Sequence, residues 1–393
     1  MPEDVATNCD AMPYQGLFIP TSHPDQMAIM AVLLGIQPPG VERCRVLELG
    51  CADGGNLLTI AQALPRVLFL GVDISTRPVD EGRATARALG AHNVAPQSLD
   101  LAKIDDRYGL FDYIICHGVY SWVAAPVREK ILRICSRKLE PNGVGYISYN
   151  VYPGWGRRGI LRELMLYHTR GITDPAARVR QARALLDFLS REATPQDAYA
   201  HSLREVSREF ARFPDTYLFH GHLAEDNHPV FSHEFVAVAA SAGLRYVGDS
   251  AFSLEESRLS ADFHQVIGRP GTDVVWRGQS VDFALNRTFR KSLFCGSGVL
   301  TYGRLGLGRS VKPRLRRPAD QRSGRSARGA GVPRPIQPAA DRRPGPPDRG
   351  PNGLSRPVTP GWERQQHSIA LQHEGSWIIL DERLRDENGR GCT

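Results

Sequence analysis

A doubly wound, Rossmann-like α/β fold with a mainly helical inserted or appended module and a disordered C-terminal tail is what the sequence predicts, on three observations. The stretch Arg45 to Leu58, RVLELGCADGGNLL, runs from an apolar segment through a turn of small residues into a helical pattern, which reads as strand, tight turn, helix. Strand and helix patterns then alternate over short connections as far as Asn150, in the manner of βαβ units with a parallel sheet. After Cys295 the composition breaks: residues 301–350 hold 12 Arg, 8 Pro and 8 Gly and almost no apolar periodicity, so they cannot bury enough surface to offset chain entropy.

Each element follows in order. Residues 1–40 are a leader ending in a lid helix, in which Ser22 or His23 caps, Pro24 suits the first turn, and Met27, Met30, Ala31 and Leu34 mark one apolar face before Pro38 and Pro39 stop it. This helix is expected across the open end of the sheet, with Tyr14 and Phe18 upstream either closing over a ligand or packing in the core. Residues 41–150 are the core. Its strands are Arg45–Leu49, Val67–Asp73, Val94–Leu99, Phe111–Cys116 and Gly143–Tyr149, and its helices run over Asn56–Leu64, Val79–Leu89 and Pro126–Leu139. Right-handed crossovers place ligands at the carboxyl ends of such strands.

Residues 151–295 form the module. Gly159–His168, Pro175–Leu189 and Pro195–Phe213 read as helices, and Phe231–Leu244 is a helix that runs into a strand over Arg245–Phe252. A last strand over Phe289–Cys295 completes the far edge of the sheet. The remaining span, 296–393, is either a low-complexity arm that could meet RNA or out-of-frame translation of GC-rich DNA. From Gly296 onward there are 18 Lys and Arg against 9 Asp and Glu, although the whole chain carries only +7. The basicity therefore belongs to the tail, and the folded part is close to neutral. Seven cysteines without a CxxC pair fit a reduced compartment, and with no signal-like or membrane-length apolar stretch a cytoplasmic protein is expected.

The turn identifies the ligand by its charge. Gly50, Ala52 and Gly55 fit a loose dinucleotide fingerprint, with Asp73 placed for ribose hydroxyls. Yet Glu48 and Asp53 flank the place where a pyrophosphate would sit, and two acids repel it. An ammonium and a sulfonium suit them, so S-adenosylmethionine fits better than NAD.

At this point the chain resembles a class I S-adenosylmethionine-dependent methyltransferase, whose first motif is an acid followed by a Gly-x-Gly-x-Gly turn; here Glu48 precedes Gly50, Ala52 and Gly54. The segments FDYIICHGVYSWV, GVGYISYNVYPGW, TSHPDQMA and YLFHGHLAEDNHPVFSHEF are similar to those of bacterial methyltransferases that carry a methyltransferase regulatory domain. The resemblance covers roughly residues 10–295. It implies a seven-stranded methyltransferase sheet, ribose contact by Asp73 with Ile74 beside it, and adenine contact near Asp100 and Leu101. It also places Glu48, Gly50, Ala52, Asp53, Gly54 and His117 in the cofactor site.

Candidates for the chemistry cluster after strands four and five. His117 is either a base near neutral pH or a loop-ordering hydrogen-bonder. Tyr120 and Trp122 are candidates to line the methyl-transfer pocket. Asn150, Tyr152 and Trp155 lie in SYNVYPGWG, where Pro153, Gly154 and Gly156 predict a shaped loop that sets these side chains over the opening. Arg157 and Arg158 read as a solvated pair at a helix start. The group His220, His222, Glu225, His228 and His233 lacks metal-site spacing, so no metal is expected. With no Asn/Asp-Pro-Pro-aromatic motif after strand four and no basic groove in the folded part, the acceptor is expected to be a small molecule or a protein side chain rather than nucleic acid. A membrane partner is not expected. The alternatives are a non-catalytic S-adenosylmethionine sensor or scaffold and an NAD-dependent oxidoreductase.

Overall fold

The computed structural model describes Met12 and residues 16–192, 198–253, 256–267 and 273–299, together with the strand residues 368–373 and 376–381. Five parallel strands, β1 (Arg45–Leu49), β2 (Leu68–Asp73), β3 (Val94–Ser98), β4 (Phe111–Cys116) and β5 (Leu139–Asn150), are joined by β6 (Leu244–Asp249), which runs in the same direction, and by β7 (Phe289–Gly296), which lies between β5 and β6 and runs antiparallel to both. The sheet order is β3-β2-β1-β4-β5-β7-β6. The order reverses between β1 and β4, which opens a crevice at the carboxyl ends of these strands.

The first helix, α1 (Pro24–Leu33), is capped by the His23 side chain, which accepts from the Asp25 amide. Then come α2 (Gly55–Ala63), α3 (Thr76–Ala88) and α4 (Ala125–Lys138) between the parallel strands. One core layer joins Met27, Met30 and Ala31 of α1 to Leu57 and Ile60 of α2 and to Tyr146 and Leu293 of the sheet. The layer on the opposite side joins Ile131 and Cys135 of α4 to Ile114, Ile147 and Phe294. Thus α1 packs on a face of the sheet, because its apolar side chains bury there, and does not cross the open end. That position is taken by the segment before it, residues 16–22, which ends in a 3₁₀ turn over Pro20–Ser22. Of the two aromatics expected there, Phe18 is exposed and Tyr14 lies outside the described residues.

Between β5 and β6 the chain builds the module: α5 (Gly154–His168), α6 (Pro175–Glu192), α7 (Ala198–Ala211), the single turn α8 (Asp215–Leu218) and a π-helical turn over Phe219–Leu223. Leu161, Met165, Val179, Leu186, Phe210 and Leu223 form its own core. The chain returns through Val230, which bridges Val151, and continues into α9 (Ser232–Ser241) and β6. Two further helices, α10 (Ala261–Ile267) and α11 (Val274–Leu285), precede β7. The insertion and the returning edge strands are as expected. The loop expected at Pro153–Gly156 is instead the start of α5, where Gly154 sits so close to the Arg287 and Asn286 carbonyls that a Cβ would come within 2.5 and 2.6 Å of them.

The Arg-rich stretch 301–350, with its readings as an RNA-binding arm or a frame error, lies outside the described residues. Farther on, Ser368–His373 (β8) and Ser376–Asp381 (β9) pair with each other. The disorder expected there gives way at SIALQH and SWIILD, whose apolar and β-branched runs suit strands.

Candidate functional site

A cavity of about 1370 Å³ opens over the carboxyl ends of β1, β2, β4 and β5. Its first end is made by the turn after β1. Gly50 (φ +76°) and Ala52 (φ +47°) both adopt left-handed backbone, and a Cβ on Gly50 would meet Val119 Cγ2 at 2.3 Å. For Ala52 this conformation costs roughly 1–2 kcal/mol, offset by the Asp73 carboxylate: Oδ2 accepts from the Ala52 amide at 2.9 Å and Oδ1 from the Ser75 amide at 2.9 Å. Asp100 Oδ1 accepts from the Ala102 amide at 2.8 Å and caps a short 3₁₀ turn. Glu48, Gly50, Ala52, Asp73, Ile74, Asp100, Leu101 and His117 all line the cavity.

Two expected cofactor residues are placed differently. Asp53 is absent from the lining, because its Oδ1 accepts from the Gly16 and Gly55 amides at 2.9 and 3.0 Å and so holds the leader against α2. Gly54 caps α2 in left-handed geometry (φ +72°), away from the lining. The charge argument drawn from Glu48 and Asp53 together therefore rests on Glu48 and on Asp73. Glu48 is buried; its Oε1 accepts from Asn56 Nδ2 at 2.8 Å, and its Oε2 has no partner among the described residues. Desolvation pushes its pKa up to about 8, against the Asn56 bond that lowers it. Ser75 Oγ, also buried at this end, is likewise unpartnered. An acid with a spare oxygen, a buried hydroxyl and a second acid two backbone amides deep are donors and acceptors that fit a ligand carrying an ammonium, a sulfonium and a ribose.

The second end is built from residues far apart in sequence. His117, half-buried, hydrogen-bonds through Nδ1 with Tyr146 Oη at 2.9 Å, and Phe289 meets it edge-on at 5.7 Å. Burial and the Lys291 charge hold its pKa well below the usual value, so the imidazole is neutral at pH 7. Asn150, the last residue of β5, donates from Nδ2 to Asn227 Oδ1 at 3.0 Å. Trp122 and Trp155 face each other edge-on at 5.7 Å, both lining the cavity. The Trp155 Nε1 and the Thr288 Oγ1 are buried without partners among the described residues.

Tyr120 is not at this end: its ring packs edge-on against Phe235 at 4.7 Å in the core. Tyr152 also leaves the lining and tilts onto Phe231 at 5.3 Å, since the residue after Val151 faces the returning module. Arg158 is buried and paired with Glu209 rather than solvated. The histidine group disperses: His220 bonds the Met12 carbonyl, His228 pairs with Asp226, His233 bonds Gln279, and His222 is enclosed by Trp155, Phe210 and Phe213.

Sequence reasoning missed Asn56, Ser75, Thr288, Phe289 and the leader residues Leu17, Ile19 and Thr21, all of which line the cavity. Only Asn56 carried a visible signal, as a polar residue on the buried face of α2 beside Leu57, Leu58 and Ile60.

The comparisons agree with this geometry. Residues 47–144 match the family model of a methyltransferase domain, and residues 214–296 that of a predicted methyltransferase regulatory domain. An uncharacterized protein of Rickettsia prowazekii (strain Madrid E) is 39% identical over 291 residues, 73% of this chain and 52% of its own length. Another from the same organism is 36% identical over 234 residues, 58% of this chain and 92% of its own. Among solved structures, PKMT2 from Rickettsia typhi superposes with a TM-score of 0.66 at 32% identity, over 74% of this chain and 55% of that one. The same protein in complex with AdoHcy gives 0.63 at 32% identity, over 74% and 56%. The chain thus spans about half the length of the first of these relatives and of PKMT2.

Proposed function

The chain belongs to the class I methyltransferases that carry a methyltransferase regulatory domain, and on that footing we propose that it methylates a small molecule or a protein side chain held at the module end of its cavity. Its cofactor is S-adenosylmethionine, which supplies, when bound, a methyl group on a positively charged sulfur that a nucleophile displaces in line. The protein's part is to align the two reactants and to exclude water.

At the cofactor end, Asp73 would hold the ribose hydroxyls, Asp100 and Leu101 would flank the adenine, and Glu48 would face the positive charge. At the other end, Trp122 and Trp155 offer aromatic faces and edges, and Asn150 a fixed amide. His117, neutral at pH 7, can accept a proton from an acceptor only if its Nδ1 keeps the proton shared with Tyr146 and leaves Nε2 open. The module supplies Trp155 and Arg158 to the lining and so shapes the acceptor's seat.

The observation that carries the reading is the size and continuity of the cavity, which runs from the turn after β1 to β7 and exceeds the roughly 300–1000 Å³ of an ordinary small-molecule site. There is room for an acceptor beside the cofactor. The test is transfer of label from S-adenosyl-methionine carrying a labelled methyl group, with cell extract as acceptor source and the products separated into protein and small-molecule fractions. Label in either fraction, lost in an Asp73→Ala variant, supports the proposal. Binding of S-adenosylhomocysteine with no labelled product would overturn it in favour of a sensor.

A further inference from the structure

Residues Gly16 to Ser22 lie as a strap along the N-terminus of α2, and Gly16, Leu17, Ile19 and Thr21 line the cavity from that side. One side chain ties the strap to the cofactor end. Asn56 is buried; its Oδ1 accepts from the Ile19 amide at 2.9 Å, and its Nδ2 donates both to Ser22 Oγ at 3.1 Å and to Glu48 Oε1 at 2.8 Å. Ser22 Oγ in turn donates to the Ile19 carbonyl at 2.9 Å. Both amide hydrogens and the amide oxygen are in use, so the orientation of the group is determined: only this one gives every neighbour a complementary partner. Asp53 adds a second fastening through Gly16, which does not touch Glu48.

Glu48 is the only acid in this network, and the charged groups that face it are Asp73 from β2 and Asp53 from the turn, both of which oppose its ionisation. A cation in the cavity does the reverse. An ionised Glu48 accepts a stronger bond from Nδ2 than a protonated one, and an amide whose N–H is drawn to a charge becomes a better acceptor at its oxygen, here toward Ile19. We propose that Asn56 is a positioning residue that couples closure of the Gly16–Ser22 strap to positive charge beside Glu48, so that the strap grips the cationic cofactor more firmly than the product, which has lost the charge on sulfur. The inference rests on S-adenosylmethionine as cofactor. It gives the protein a physical reason to retain substrate and release product.

The experiment is hydrogen exchange at the Gly16 and Ile19 amides of the full chain. It compares saturating sinefungin, whose amine carries a positive charge where the sulfonium stands, with saturating S-adenosylhomocysteine. In the unsubstituted protein, protection should be about threefold to tenfold greater with sinefungin, the order expected from cooperative strengthening of one hydrogen bond. In Asn56→Ala that ratio should fall to about one while S-adenosylhomocysteine still binds. Ser22→Ala, which keeps the Asn56–Glu48 bond but removes the hydroxyl by which Asn56 also holds the strap, should lower the ratio as well and covers the case in which Asn56→Ala does not fold. A merely structural role for Asn56 would lower protection with both ligands equally. Equal protection by the two ligands in the unsubstituted protein, or an undiminished ratio in both variants, would overturn the inference alone. Failure of the unsubstituted protein to bind either ligand would overturn the cofactor assignment and this inference together.

Discussion

The two ends of the cavity are built by different means. At the cofactor end, backbone amides and short acids from the same or neighbouring strand ends meet one another: Asp73 takes the Ala52 and Ser75 amides, and Asp100 takes that of Ala102. At the module end, large side chains come from the turn after β4, from α5 and from the start of β7, and the arginines among them are held by charge. Arg287 and Arg290, both in the lining, converge on Asp282 of α11, which is wholly buried and also accepts from Ser232 Oγ at 2.8 Å. An end made of backbone tolerates little change, whereas an end made of side chains on separate elements can be remade for another acceptor while the cofactor is kept.

Three substitutions break this comparison in different places. Asp282→Ala has the largest expected effect, because it removes the wholly buried carboxylate between Arg287 and Arg290 and leaves their charges to the more exposed Asp249 and Glu256. Stability to urea should fall by about 3–5 kcal/mol. If the ends are separate, the affinity of the folded variant for S-adenosylhomocysteine stays within about twofold. Asp73→Ala is next. It removes the acceptor for two backbone amides and the expected ribose partner, and calorimetry should show S-adenosylhomocysteine binding weakened about 100-fold, or roughly 3 kcal/mol. An unchanged affinity would take Asp73 out of the site. Trp155→Phe keeps a ring against Trp122 but deletes the buried Nε1–H. Acceptor-dependent turnover should fall about tenfold, the worth of one hydrogen bond, with cofactor affinity unaltered. A matching loss of cofactor affinity would show that the two ends act as one.

The same contrast explains what could be read in the sequence. The place of Gly50, Asp73 and Asp100 on the cavity wall is legible because each follows the end of its own predicted strand, where strand geometry alone puts it at the rim. Asp53 was misassigned because spacing cannot say which neighbour a carboxylate will choose, and here it chose Gly16 and Gly55. Tyr120 and Tyr152 were misassigned for a related reason. They follow strands four and five as pocket residues should, but one turns into Phe235 and the other toward Phe231, and both partners arrive only after the helical module. The Pro-Gly-Trp-Gly run read as a loop since glycine is a poor helix former; the packing of Gly154 under the Arg287 carbonyl overrides that propensity. Thr288 and Phe289 carried no local signal at all, because only the antiparallel pairing of β7 with β5 brings them beside Asn150.

The smallest effect concerns the acid on which the cofactor end turns. In the free protein Glu48 titrates near pH 8, raised from 4.5 by burial, so at pH 7 it carries a proton. A cation bound beside it favours the carboxylate, and the complex then holds fewer protons than the free protein. Raising the pH must therefore strengthen binding as long as Glu48 is protonated in the free state, and the gain must end as pH passes about 8. With full ionisation in the complex, affinity for sinefungin should increase about fivefold between pH 7 and pH 8, close to 1 kcal/mol. S-adenosylhomocysteine keeps the ammonium but lacks the second charge, so its affinity should rise less over the same interval. Isothermal titration in buffers of different ionisation enthalpy measures the proton released on binding directly. Release of more protons at pH 7 with sinefungin than with S-adenosylhomocysteine, abolished in Glu48→Gln, would locate the charge sensing at Glu48, and equal release for the two ligands would remove it.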